Sequence, residues 1–269
     1  MKYQPQKLVN AQGKMWHIGL GEHDIAKHVI LPGDPDRCKL IAAQFDEQKL
    51  AGVSRGNPTY TGTKDGVGVS VMSTGMGCMA MAICVEELKE IGAKTLIRLG
   101  TGGCLQRDIP PGSFIIGTAA VRGDGCTKEY IDESYPAVAD LDVVLALRES
   151  CREFGVTPYT GILRSHDAFY MESPGAHEGL EERVQKWTDA HVLALENESS
   201  ALFVVSSLLG GLRAGTILLT GQNIYDSYGK MTTSSTPDYP EKVDLLSKIT
   251  LRAIEKIDRL PDLNASCNI

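Results

Sequence analysis

The sequence predicts an α/β fold, a single domain with a central, largely parallel or mixed β-sheet flanked by helices. Short apolar runs rich in β-branched residues recur along the chain, amphipathic stretches separate them, and no Pro/Gly/Ser-rich linker interrupts the alternation. With 269 residues, 42% hydrophobic and 23% charged, there is ample apolar material for a full core. Length alone leaves one large domain or two open, no internal repeat is visible, and it is the spread of the motifs below, from Gly33 to Glu198, that makes residues 1–269 one domain.

The elements follow in order. His28–Leu31 reads as a buried strand, and Leu31-Pro32-Gly33-Asp34-Pro35-Asp36-Arg37 as a turn that opens a helix from Cys38 to Phe45. Val67–Met72 reads as a strand, Ser73-Thr74-Gly75-Met76-Gly77 as its turn, and Met79–Ile91 as the next helix. Thr95–Leu99 is a third strand, followed by a third glycine-rich turn, Arg98-Leu99-Gly100-Thr101-Gly102-Gly103. Further strands are expected over Ser113–Ala119, Leu193–Leu195 and Thr216–Thr220, with helices over Leu141–Phe154, Ser199–Leu209 and Lys242–Arg259. The polar stretch from Ile224 to Pro240 reads as a long loop, either a lid or a plain connection.

Composition removes several classes of function. A formal charge of −7 and the lack of any Lys/Arg cluster argue against a nucleic-acid backbone as ligand. No apolar run reaches the length of a membrane span, and Met1–Lys7 lacks the apolar core of a signal peptide, so a cytoplasmic protein is expected. Seven dispersed cysteines without a C-x-x-C pair read as reduced, buried thiols rather than a disulfide frame or a zinc site.

The three glycine-rich turns carry the chemistry. Glycine lets backbone N–H groups approach a ligand, a helix N-terminus attracts anions, and the guanidinium of Arg37 matches phosphate oxygens, although Gly-Asp-Pro is also ordinary turn chemistry. Turns of this kind in one α/β sheet converge at the carboxyl ends of the strands, where ligands bind. None matches the P-loop or the dinucleotide fingerprint, which makes nucleoside triphosphates and nicotinamide cofactors poor candidates. In Leu195-Glu196-Asn197-Glu198-Ser199-Ser200, alternate residues of an extended segment place Glu196 and Glu198 on one face. Such a pair serves acid/base work, grips sugar hydroxyls, or simply places negative charge at a helix N-terminus.

Taken together, Gly33-Asp34-Pro35 with Arg37, Arg98 with Gly100-Thr101, Pro136–Asp140 and Glu196-x-Glu198-Ser199 resemble, in order and spacing, the nucleoside phosphorylase-I family. The resemblance runs from about His17 to Leu219 and is closest to the uridine phosphorylase branch. It implies phosphorolysis of a nucleoside, uridine above all, by a homo-oligomer built from dimers, commonly a hexamer, with active sites shared between subunits. It also implies no metal and no cofactor, with inorganic phosphate as co-substrate. By position, Gly33, Arg37, Arg98 and Thr101 would hold phosphate, with Arg55 reaching in from the neighbouring subunit. His17 would cross the same interface to the ribose 5′-hydroxyl, and Glu196, Asn197 and Glu198 would bind ribose. Thr101, Gly103 and Phe169 would meet the base.

The pattern breaks at the base. Purine-cleaving relatives place an Asp after the late strand, whereas this chain has Gly221-Gln222-Asn223, and an amide is no general acid. That points to a pyrimidine, yet the uracil-binding Gln-x-Arg is replaced by Met171-Glu172-Ser173-Pro174-Gly175-Ala176-His177. His166, Gln222, Asn223 and Arg122 are the candidate replacements. Gly56 stands where some relatives carry a cation-binding glutamate, and Asn197 where a methionine usually packs on ribose. A purine nucleoside phosphorylase, and a nucleoside-binding protein without turnover, are the alternatives.

Overall fold

The computed structural model describes residues 8–173, 178–225 and 238–263. The first half of the chain contains β1 (His28–Leu31), α1 (Pro35–Ala42), β2 (Glu47–Ser54), β3 (Asn57–Lys64), β4 (Val67–Met72), α2 (Cys78–Glu90) and β5 (Thr95–Cys104). Then come β6 (Phe114–Gly123), α3 (Cys126–Tyr130), β7 (Ala137–Val138), α4 (Leu141–Glu153) and β8 (Tyr159–His166). The remainder holds α5 (Phe169–Glu172), α6 (Leu180–Asp189), β9 (Ala194–Glu196), α7 (Ser199–Leu209), β10 (Arg213–Asn223) and α8 (Tyr239–Asp258). The expected α/β class is therefore present, with one mixed sheet running through the described residues.

Strand order along the sheet is β10-β6-β8-β9-β5-β1-β4-β3-β2, and β10 also pairs with β5. That second pairing closes β5, β10, β6, β8 and β9 into a ring, from which β1 to β4 extend as an open wing. Strand alternation divides the core between the two faces of the sheet. Val29, Leu31, Leu96 and Leu218 point to one cluster under α2 and α7, while Ile30, Ile97, Leu99, Ile217 and Leu219 point to the other under α1, α4 and α8. Both faces are covered, which is why these strands read as continuous apolar runs.

Local chemistry sets the helix starts. Pro35 occupies the first turn of α1 and Asp34 caps it by accepting from the Asp36 N–H, so the helix begins three residues before Cys38. Asp140 caps α4 in the same way through Val143 N–H at 3.1 Å. The stretch from Arg98 to Gly103 is strand rather than turn, since β5 runs on to Cys104. Its glycines serve close packing across the ring: a Cβ at Gly102 would lie 2.8 Å from the Leu195 carbonyl oxygen. The β2–β3 hairpin has no apolar alternation to announce it and is stabilised by pairing onto β4. Of the expected loop 224–240, Tyr239 and Pro240 begin α8 and residues 226–237 lie outside the described residues, as does Cys267.

Arg122 is corrected here. All five of its N–H donors are engaged: Nε with Thr127 Oγ1, Nη1 with the Asp132 and Tyr135 carbonyls, and Nη2 with the Thr127 and Ile131 carbonyls. It clamps the loop around α3 and has no donor left for a base. Arg122→Ala is expected to lower unfolding free energy by about 2–4 kcal/mol, because it strands several carbonyls at once; equilibrium urea denaturation reads this directly.

Candidate active site

The three glycine segments meet. Leu31 at the end of β1 pairs in register with Arg98 on β5, so the Gly33 turn begins beside the arginine. The Ser73 hydroxyl donates to the Gly33 carbonyl at 2.9 Å and Thr74 N–H to the Pro32 carbonyl at 3.0 Å. A Cβ at Gly33 would stand 3.0 Å from the Gly75 carbonyl oxygen, so the contact between these two turns leaves little space for a side chain.

Arg98 lies at their junction, 4% exposed. Its Nε donates to Glu196 at 2.9 Å and its Nη2 to Glu198 at 2.5 Å. The two carboxylates thus share a face, as alternation requires, but their work differs. Glu196 is consumed by the structure: besides Arg98 it accepts from Glu198 N–H at 3.0 Å, Ser199 N–H and hydroxyl at 2.9 Å, and the Ser165 hydroxyl. Its side chain has no solvent exposure. This corrects its expected ribose contact, since the carboxylate caps α7 and orients Arg98 instead. Glu198 holds only Arg98 and the Gly77 N–H, at 2.7 Å, and is the better placed to exchange partners with a ligand.

The charges follow from burial. Desolvation pushes the Glu198 carboxyl above its ordinary range, with Arg98 opposing and Glu196 reinforcing. Burial also works against the Arg98 charge, but Glu198 and Glu196 outweigh it and hold the guanidinium above its usual value.

A cleft opens beside this group. Thr101, Gly103, His166, Phe169, Glu196, Asn197 and Gln222 all line it. Of the expected ribose and base residues, these are brought together from β5, β8, α5, the β9–α7 junction and β10, whereas Glu198 is not among the residues lining the cleft. Asn197 is pinned by its Nδ2 donating to the His166 carbonyl. His166 is buried, and that burial holds its imidazole below the usual range, with Glu172 opposing and Arg164 assisting. Asn223 is a correction: it does not line the cleft, and its amide donates to the Gln106 and Ile109 carbonyls at 2.8 and 3.1 Å while accepting from Tyr225 N–H.

His17 and Arg55 line a second cleft of about 560 Å³, with Asn57, Ser73 and Thr74. Arg55 sits at the β2–β3 turn with φ of +53° and projects from an exposed position. Arg37 is not in either cleft; its Nη2 donates to the Tyr239 hydroxyl at 3.1 Å. Sequence reading missed Glu87, whose carboxylate meets His17 Nδ1 at 2.6 Å and takes the His17 and Ile18 N–H groups. The available signal was an acidic residue on the buried face of α2. It also missed Ser165 and the Arg164–Glu172 pair, which no local pattern marks.

The described cysteines are free thiols. Burial pushes Cys38, Cys84 and Cys151 up to about 12, so none of these is a ready nucleophile. Among the described residues no cluster of three His, Cys, Asp or Glu side chains is arranged to hold a metal ion, and no helix is long and apolar enough to cross a membrane.

Glycine segments at the strand ends, joined through a buried arginine to a cleft, fit a small-molecule enzyme of the α/β class. Comparison with known proteins makes the assignment specific: residues 27–255 match the phosphorylase superfamily, and the chain belongs to that family. It is 42% identical to a uridine phosphorylase of Treponema pallidum over 79% of this chain and 84% of that one. It is 35% identical to a guanosine phosphorylase of Halorubrum lacusprofundi over 90% and 98%. The crystal structure of uridine phosphorylase from Vibrio fischeri ES114 superimposes with a TM-score of 0.80 at 31% identity, covering 91% of this chain and 98% of that one.

Two substitutions test the Arg98 arrangement. A Cβ at Gly100 would lie 2.7 Å from Arg98 Cζ, so Gly100→Ala must displace the guanidinium or the strand and is expected to cost about 1–3 kcal/mol in stability. The other is Glu198→Gln. A carboxyl whose folded-state pKa is raised stabilises the fold below its unfolded value, and loses that contribution as pH rises through the folded one. Relative to the non-titrating Glu198→Gln variant, the wild-type Tm is therefore expected to fall as pH rises through the folded-state value, which differential scanning calorimetry at a series of pH values measures.

Proposed function

We propose that this protein is a phosphate-dependent nucleoside phosphorylase that converts uridine and phosphate to uracil and ribose 1-phosphate, a pentosyltransferase of pyrimidine salvage. The observation that carries the reading is Arg98, buried between Glu196 and Glu198 where the glycine turns meet the cleft. A phosphate oxygen forms a bond to C1′ as the glycosidic C–N bond breaks, and the departing base takes the bonding pair. No enzyme nucleophile, metal or organic cofactor is needed, because positioning and charge placement lower the barrier.

In this reading Arg98, with two of its three nitrogens held by carboxylates, offers Nη1 to phosphate beside the Gly33 and Thr101 backbone. One guanidinium facing two carboxylates attracts a dianion poorly, so further positive charge is required. Arg37 and the partner subunit's Arg55 supply it, which makes the working unit a dimer, assembled as a homohexamer. His17 crosses with Arg55; Glu87 takes its Nδ1–H, leaving Nε2 for the ribose 5′-hydroxyl. Glu198 and Asn197 grip the ribose hydroxyls, while Phe169, Thr101, Gly103, His166 and Gln222 surround the base. The free thiols fit a cytoplasmic location.

The likeness to a guanosine phosphorylase along 98% of that protein keeps a purine nucleoside as the second reading. Incubation with uridine, thymidine, inosine and adenosine, with and without phosphate, separates these readings. Phosphate-dependent uracil release is expected. Release without phosphate, inosine cleavage without uridine cleavage, or binding of uridine without turnover would each overturn the proposal. Arg98→Ala is expected to lower kcat/KM by about 10²–10³ through loss of a charge-assisted contact.

A further inference from the structure

Behind the cleft-lining His166 lies a buried carboxylate that the phosphate chemistry does not use. Glu172, on the short helix α5, is 6% exposed and gripped in a bidentate pair by Arg164 of β8: Nε to Oε2 at 2.6 Å and Nη2 to Oε1 at 2.9 Å. The Arg164 guanidinium lies 4.3 Å over the Trp187 ring, and Arg183 Nε stands 3.8 Å from Glu172 Oε1. Such a pair has few ways to move. His166 lies beside it at the end of β8, 3% exposed, with Nδ1 shut from solvent and without a hydrogen-bond partner. Glu172 Oε2 is 4.0 Å from that nitrogen.

A buried imidazole nitrogen without a partner is a defect in most cores. Here it flanks the cleft that His166 lines, and one more acceptor position on Glu172 Oε2 faces it. A ring shift of about 1 Å closes the gap to an ordinary N–H···O distance. We propose that Glu172, fixed by Arg164, holds His166 as the Nδ1–H tautomer, so that Nε2 is a proton acceptor in the cleft and selects bases whose edge carries a ring N–H beside a carbonyl. This rests on the nucleoside phosphorylase reading above and specifies its substrate class.

The chemistry of bases gives that selection its content. Uracil presents N3–H between two carbonyls, and 6-oxopurines present N1–H beside one. Cytosine and adenine present instead an unprotonated ring nitrogen beside an amino group, the reverse pattern. An acceptor at Nε2 pairs with the first set and meets a lone pair in the second. Gln222, also lining the cleft, carries an amide whose N–H group suits the neighbouring carbonyl. Burial, assisted by Arg164, favours the neutral imidazole that an acceptor nitrogen requires, against the carboxylates of Glu172, Glu196 and Asp167. Glu172 is thus a positioning residue that acts through His166. One site then accommodates uridine and 6-oxopurine nucleosides while rejecting cytidine and adenosine.

The test reads base choice rather than rate alone. With phosphate present, the wild-type protein is expected to prefer uridine over cytidine, and inosine over adenosine, by about 10² or more in kcat/KM. Glu172→Gln lets a side-chain amide donate to Nδ1 and reverses the tautomer, so the uridine-to-cytidine ratio is expected to fall at least about tenfold, with Glu172→Asp retaining more of it. A brace that only supports α5 would lower both substrates equally, and an unchanged ratio in Glu172→Gln overturns the proposal. Should that variant fail to fold, ¹⁵N NMR of the wild-type imidazoles decides: protonated Nδ1 on His166 is expected, and protonated Nε2 overturns the assignment. If no nucleoside is phosphorolysed, the function has failed independently. Calorimetry with free uracil and cytosine then still reads the selection, with equal affinities counting against it.

Discussion

The structure of the site depends on one buried guanidinium shared by two carboxylates. Arg98 and Glu196 are both closed to water, and an isolated charge in either position would carry a large desolvation penalty. Glu196 offsets it by gathering N–H and O–H donors from the first turn of α7 and from Ser165, which fixes the β9–α7 junction against β5 and β8. Glu198 extends the same network to the Gly77 N–H and so to the turn before α2. Three strand ends and two helix starts are thereby tied through one arginine. Displacing it disturbs the glycine turns and the cleft together.

Ring closure by β5 and β10 makes this arrangement possible. A long strand paired on both edges brings Arg98, Thr101 and Gly103 into line along one element, and its glycines accept the crowding that closure creates. Gly100 illustrates the coupling: it lacks a Cβ because the Arg98 side chain folds back over its own strand. Backbone geometry and site electrostatics are set by the same residues.

The expected site residues fall largely into two clefts. One gathers Thr101, Gly103, His166, Phe169, Asn197 and Gln222, and the other brings Arg55, from the β2–β3 turn of the open wing, beside His17 of the segment that precedes β1. Glu87 and Glu172 stand behind histidines that line these clefts: each is a buried carboxylate near an Nδ1, at 2.6 Å from His17 and 4.0 Å from His166. Carboxylate–imidazole pairs of this sort set which ring nitrogen faces outward, and with it the polarity the site presents to a ligand.

The sequence by itself determined the α/β class, most strands and helices, and the glycine segments, because apolar periodicity and turn chemistry are local properties. It also marked Arg98, Glu196, Glu198, Phe169, His166 and Gln222 as a set, through short motifs in a familiar order. Only the tertiary structure decided what each one does. Glu196 and Glu198 are indistinguishable in the motif, and separate only when burial and partners from β8 and α7 consume one of them. Arg122 and Asn223 read as free polar groups until the loops around them take their donors. Glu172, Arg164 and Glu87 carry no local signature, since their significance lies in partners brought near by strand register and helix packing. Propensity and pattern act over a few residues, whereas charge compensation and hydrogen-bond saturation depend on which segments the fold places side by side.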